Sequence, residues 1–169
     1  MKIEKITFSK ASKLLGIYDK KGRDTIRIEY ENFTKDKPWI TLNDWFWGKL
    51  QKMVLDTKGA PEVYWMMSQF ISRFEGKSGL LYDRLAIEAR LKQDKLKLEN
   101  DRIEWVAEVI GDPKCTYGIE MDGRQFPLEG DFNPAELACK SCQKLRCLCM
   151  YSIVGKRDIN GRLVWKSLK

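Results

Sequence analysis

Between Pro61 and Phe74 the chain places Val63, Met66, Met67, Phe70, Ile71 and Phe74 at helical intervals. Residues three, four, seven and eight apart share one side of an α-helix, so this segment must bury an apolar face. Pro61 suits the first turn, where the N–H it lacks would have no partner. A second amphipathic helix follows Thr41, an N-cap with Asp44 three residues on. Its face is Leu42, Trp45, Phe46, Leu50, Met53 and Val54, which makes Trp45 a core residue. Any fold for this chain therefore has packed helices at its centre.

Around that centre the signals are shorter. Ile3–Phe8 and residues 25–33 read as strands, the latter because Thr25-Ile26-Arg27-Ile28-Glu29-Tyr30 alternates with period two. Residues 19–24 then form a turn. Leu80 to Gln93 is a third helix, with Leu80, Ile87 and Leu91 on one stripe. Beyond it, Lys95–Glu99 and Ile103–Val109 both alternate about Asn100-Asp101. We expect a hairpin there, because a continuous helix would run on without a cap. Asp122-Gly123 predicts a second hairpin joining 116–121 to 125–128, and Asn160-Gly161 a third joining 150–158 to 163–168. Asn133-Pro134 starts a short helix near the cysteines. The expected fold is α+β: a helical middle packed on antiparallel strands and hairpins, with a small Cys-rich, zinc-stapled C-terminal module. The parts divide into 1–112 and 113–169, either as two units or within one domain.

Four of the five cysteines fall within eleven residues, as Cys139-Lys-Ser-Cys142 and Cys147-Leu-Cys149. Four thiolates suit tetrahedral Zn²⁺. The CxxC half has the spacing of a zinc knuckle, and the CxC half is tighter than usual. An Fe–S cluster, a CxxC redox pair and thiols that merely pack are the alternatives. Cys115 stands apart and reads as a small buried residue. The odd cysteine count and the absence of a signal-peptide pattern point to a reducing, cytoplasmic setting. No stretch is apolar for the length that a membrane helix needs.

The charge is concentrated. The chain carries a net +7, and residues 139–169 match that figure, with Lys140, Lys144, Arg146, Lys156, Arg157, Arg162, Lys166 and Lys169 against Asp158. A patch of this kind attracts polyanions. With Asn160-Gly161 as a two-residue loop, Lys156 faces Trp165, and Arg157, Arg162 and Lys166 share one face of a basic ribbon suited to a nucleic-acid groove. The plain alternative is an edge hairpin whose cations deter aggregation. Trp47, Tyr64 and Trp65 fall off the apolar helical faces and are candidate partner contacts.

Histidine is absent. That removes His-based nucleophilic triads, HExxH metalloproteases and His-dependent nucleases. Glu120, Asp122, Glu129 and Asp131 lack the acidic-x-Lys element of a metal-dependent nuclease. Gly76-Lys77-Ser78 is no P-loop, since Ile71 stands where glycine is needed and no strand precedes it. We therefore expect no enzyme. The expectation is a small basic accessory or regulatory protein that binds DNA or RNA. The nucleic-acid contacts would be Lys140, Lys144, Arg146, Lys156, Arg157, Arg162, Trp165 and Lys166, and the metal ligands Cys139, Cys142, Cys147 and Cys149. The alternative is an interaction or inhibitory module whose basic, aromatic face docks on an acidic protein or a nucleoprotein.

Overall fold

The computed structural model describes residues 3–128, 142 and 144–166. The order of elements is α1 (Phe8–Leu14), α2 (Lys20–Thr34), α3 (Leu42–Asp56), α4 (Pro61–Phe70), a π-helical turn (Ile71–Glu75), α5 (Leu80–Leu98), β1 (Trp105–Ile110), α6 (Thr116–Met121), β2 (Gln125–Pro127) and β3 (Met150–Gly155). Helices and an antiparallel sheet are both present, so the α+β class holds.

The two helices expected from periodicity form as read. Thr41 and Asp44 make a reciprocal capping box at α3, satisfying two backbone donors that would otherwise face water alone. Pro61 opens α4. Their apolar faces meet in one core, where Phe46, Leu50 and Phe70 are wholly buried with Trp45, Met67 and Phe74 around them. Phe46 stacks on Phe70 at 5.6 Å, and Trp45 meets Tyr30 edge-on.

The expected strands 25–33, 95–99 and 116–121 are wholly or mostly helical instead, and 3–7 belongs to neither a helix nor a strand. Phe8 begins α1, with the Thr7 hydroxyl accepting from the Lys10 N–H. Residues 25–33 lie within α2, and the expected turn at 19–24 is its start, with Asp19 as N-cap. Six alternating residues also fit a helix whenever one side of the alternation need not be buried. Here only Ile26 is buried, Tyr30 follows four residues later, and Ile28 is 55% exposed. Likewise 95–98 continues α5, because Ile87, Leu91 and Leu98 extend one helical stripe while Leu96 points to water. The turn at Asn100-Asp101 ends that helix.

The sheet has the order β2-β1-β3. β1 was expected as a strand, but its neighbours are different ones. Val106 pairs with Pro127 on one side, and Trp105–Ile110 pairs with Gly155–Met150 on the other. Residues 116–121 form α6, so the expected hairpin about Asp122-Gly123 is a helix-to-strand turn. A second core lies between α5 and the sheet, built on Ile87, Leu91, Ala107, Val109, Met121 and Tyr151.

The terminal hairpin is one residue out of the expected register. Arg157 is opposite Leu163, and the Val164 N–H donates to the Lys156 carbonyl. The loop has three residues. The Gly161 N–H closes a turn on the Asp158 carbonyl, and Gly161 takes φ +75°, a left-handed conformation that glycine adopts without strain. The Asp158 carboxylate accepts from the N–H groups of Asn160 and Arg162, both at 2.9 Å. That clamp outweighs the two-residue Asn-Gly turn.

Candidate functional site

The segment 144–149 reaches back across the chain to the start of α5. The Gly79 N–H donates to the Leu145 carbonyl at 2.7 Å. Asp83, 2% exposed, accepts from Arg146 Nη2 at 3.2 Å and from the Cys147 N–H at 3.0 Å. Arg146 Nε donates to the Ser68 hydroxyl of α4. A buried carboxylate with a guanidinium and a backbone donor has its charge balanced and its lone pairs used. One helical acid thus fixes the Cys-bearing segment against α4 and α5.

Beside this anchor a cleft of about 310 Å³ opens, walled by Trp65 and Gln69 of α4, Arg90 of α5, and Arg146, Leu148 and Tyr151. Trp65 is half-buried, while Leu148 and Met150 are 58% and 49% exposed at the rim. Tyr151 donates to Asp94 Oδ2 at 3.2 Å. Burial, reinforced by the Asp94 carboxylate, pushes its phenol well up, so it stays neutral at ordinary pH. The cleft offers an indole wall, apolar rim residues and two guanidinium groups that are each paired with a carboxylate, Arg90 with Asp94 and Arg146 with Asp83.

The same segment carries the thiols, and Cys147 and Cys149 also border the cleft. Cys147 and Cys149 are buried, with Cys115, Cys142, Leu80 and Tyr117 packed against them. Cys115, read from sequence as solitary, is thus a neighbour of the other three. No disulfide joins these four cysteines. Gly118 lets the corner close, since a Cβ there would sit 3.2 Å from Cys149 Sγ and 2.6 Å from the Asp112 carbonyl. The Asp112 carboxylate pairs with the Lys144 ammonium. That hydrogen bond, then the Lys114 N–H, holds the Asp112 carboxyl below its usual range. The Lys144 ammonium is raised in turn, first by Asp112 and more weakly by Cys115 and Cys142. Among the described residues, no three Cys, Asp or Glu side chains gather tightly enough to hold a metal ion as they stand. Cys139 and Lys140 lie outside the described residues, as do Asn133-Pro134, Glu129 and Asp131. Asp122 is a turn residue that accepts from the Gly111 N–H.

The expected nucleic-acid contacts are not equivalent. Lys144, Arg146 and Lys156 are each held by a carboxylate of the chain, at Asp112, Asp83 and Glu104 respectively. Arg157 and Arg162 are exposed, and Arg157 Nη1 donates to the Gly161 carbonyl. The one-residue slip sets Lys156 opposite Val164 instead of Trp165. It also puts Arg157 on the face of Leu163 and Trp165, with Arg162 and Lys166 on the other. Trp165 is 61% exposed.

The aromatic candidates also separate. Trp47 stacks on Phe70 at 5.6 Å and meets Tyr82 edge-on, so the chain's own core covers it. Tyr64 lies over the Gly59 linker. Only Trp65 of the three opens to the cleft. Sequence reasoning missed Asp83 and Arg90. Asp83 falls between Leu80 and Ile87 on the apolar stripe of α5, and an acid on such a stripe signals a buried partner. Comparison with protein-family models, curated proteins and solved structures gives no match, so the function is argued from this geometry alone.

Proposed function

We propose that the protein is a nucleic-acid-binding accessory protein that engages a single strand through the Trp65 cleft. The observation that supports this reading most is a half-buried indole in the cleft beside Arg90, whose side chain is 48% exposed and meets Asp94 at 3.6 Å, while Arg146 is taken up by Asp83. Bases stack on aromatic faces whatever their sequence, and cations beside the stack meet the phosphates. The net charge of +7 favours the encounter. Arg157, Arg162 and Lys166 on the terminal hairpin, beyond the far end of β3 from the cleft, add to the positive charge. A Zn²⁺ held by the C-terminal cysteines would fix the segment that forms one wall of the cleft.

The test is fluorescence anisotropy with labelled oligo-dT and oligo-U at about 50 mM salt, followed by a salt titration. Trp65→Ala should weaken binding by roughly one to two orders of magnitude, the equivalent of about 1–3 kcal/mol of stacking. Absence of binding to either oligonucleotide would overturn the reading.

Exposed Leu148 and Met150 at the rim favour a second reading. In it an acidic protein segment with an apolar side chain takes the cleft. Its binding would depend much less on salt, because fewer counterions are released.

A further inference from the structure

We propose that Cys115 is a zinc ligand, completing with Cys142, Cys147 and Cys149 a four-thiolate centre that staples the β1–α6 corner to the start of β3. This rests on the zinc part of the proposed function and changes its ligand set, with Cys115 in the place given to Cys139 by sequence spacing.

Two observations support the choice. First, Cys115 is 27 residues from Cys142 in the chain, yet it packs in the same small cluster as Cys142, Cys147 and Cys149. Nothing in the spacing requires this convergence. Secondly, the corner that carries Cys115 is held towards the other thiols. The Cys115 N–H donates to the Asp112 carbonyl at 3.0 Å, and the Asp112 carboxylate grips Lys144, which lies between Cys142 and Cys147 in sequence. Gly118, one turn into α6, lies close enough to Cys149 that a side chain there would press on its sulfur.

Four thiolates are the donor set that tetrahedral Zn²⁺ takes in closed structural sites. Binding releases four thiol protons as four Zn–S bonds form, each about 2.3 Å long. Among the described residues the thiols do not yet gather as ligands, so binding must draw them together. A site closed within 139–149 would staple only its own loop. Ligation by Cys115 would instead link the two edges of β1, which gives the metal a structural task.

The test uses the full reduced chain, loaded with zinc and then treated with a chelator, in each state alkylated with N-ethylmaleimide and mapped by mass spectrometry. We expect one zinc per chain. Cys115 and Cys142 should react about tenfold more slowly when free zinc exceeds its Kd tenfold, and Cys139 should react equally in both states. Zinc-dependent protection of Cys139 with none at Cys115 would overturn the assignment while leaving a metal centre. A folded chain that takes up no zinc would overturn the centre itself. With Co²⁺ in place of zinc, the thiolate charge-transfer absorption should fall by about a quarter in Cys115→Ser and stay unchanged in Cys139→Ser, as expected for one ligand of four. The reverse pattern would overturn the proposal. The alkylation arm needs no variant, so a Cys115→Ser chain that fails to fold leaves the test intact.

Discussion

Removing the Asp83 carboxylate should do more damage than any other single polar substitution among the described residues. In Asp83→Ala, Arg146 Nη2 and the Cys147 N–H lose their acceptor together. Breaking a buried ion pair by deleting one partner costs about 3–5 kcal/mol, most of it from the charge left behind. Arg146 is 26% exposed along its side chain and keeps its bond to Ser68. Water therefore screens part of the orphaned charge, which brings the expected loss to about 3 kcal/mol. Asp83→Asn retains an acceptor for the Cys147 N–H and should cost about half as much. The paired change Asp83→Leu with Arg146→Met removes both charges and should cost less than Asp83→Ala alone.

Urea denaturation reads this directly. With a slope of about 1–3 kcal/mol per molar, a loss of about 3 kcal/mol moves the midpoint by roughly 1–3 M. A shift below about 0.5 M at unchanged slope, or costs for the two single changes that simply add, would refute the claim that Asp83 balances Arg146. The same variants should report on the cleft. Cys147 and Arg146 both line it, so any ligand bound there should be lost in Asp83→Ala at urea concentrations where the helical core is still folded.

Gly118→Ala should destabilise the chain by about 1–3 kcal/mol, since its methyl would press on the Asp112 backbone; thermal unfolding measures it, and an unchanged midpoint would remove the close approach from the argument. Gly161→Ala should cost about 1 kcal/mol at its left-handed φ, whereas a neutral result by urea denaturation would contradict the three-residue loop. The Asp112–Lys144 pair predicts a plateau of stability against pH. Asp112, held low, contributes above its unfolded value of about 3.9 and loses that contribution as pH falls through its folded value. Lys144, held high, contributes below about 10.4 and loses it as pH rises through its folded value. Asp112→Asn should weaken both limbs in denaturation series at several pH values, and identical profiles would refute the pair.

The parts of the fold legible in the sequence were those where one pattern had one reading. The apolar residues from Val63 to Phe74 fit no period but the helical one, and the Thr41–Asp44 box marked its own helix start. Residues 25–30 and 95–99 were ambiguous for a physical reason. Both are short and charged, and a strand and a helix bury equally few of their side chains. Tertiary packing decided them, through Tyr30 against Trp45 in one case and Leu98 against the sheet core in the other. Strand partners were harder still. Asp122-Gly123 and Asn160-Gly161 do make turns, but a turn does not say whether a helix precedes it or how many residues the loop holds. At the site, Trp65 was visible as an aromatic off the apolar face. The neighbourhood of Cys115 was not, because it depends on the β1–α6 corner bringing distant residues together.

Charge shows best how counting departs from structure. The C-terminal residues 139–169 hold eight cations and one acid, and as a sum they describe a polyanion-binding tail. In the fold, three of those cations are held by Asp112, Asp83 and Glu104, acids from before the segment begins. Their role is to dock the C-terminal part onto the helices and sheet. The hairpin register then divides three others, sending Arg157 to one face and Arg162 with Lys166 to the other. A flat basic ribbon laid in a groove is therefore a poor description of this surface. On the proposed reading, a single strand held at the Trp65 cleft with Arg90 beside it needs no single charged face. It needs a fixed indole and a wall that stays in place, and the Asp83 anchor supplies that wall.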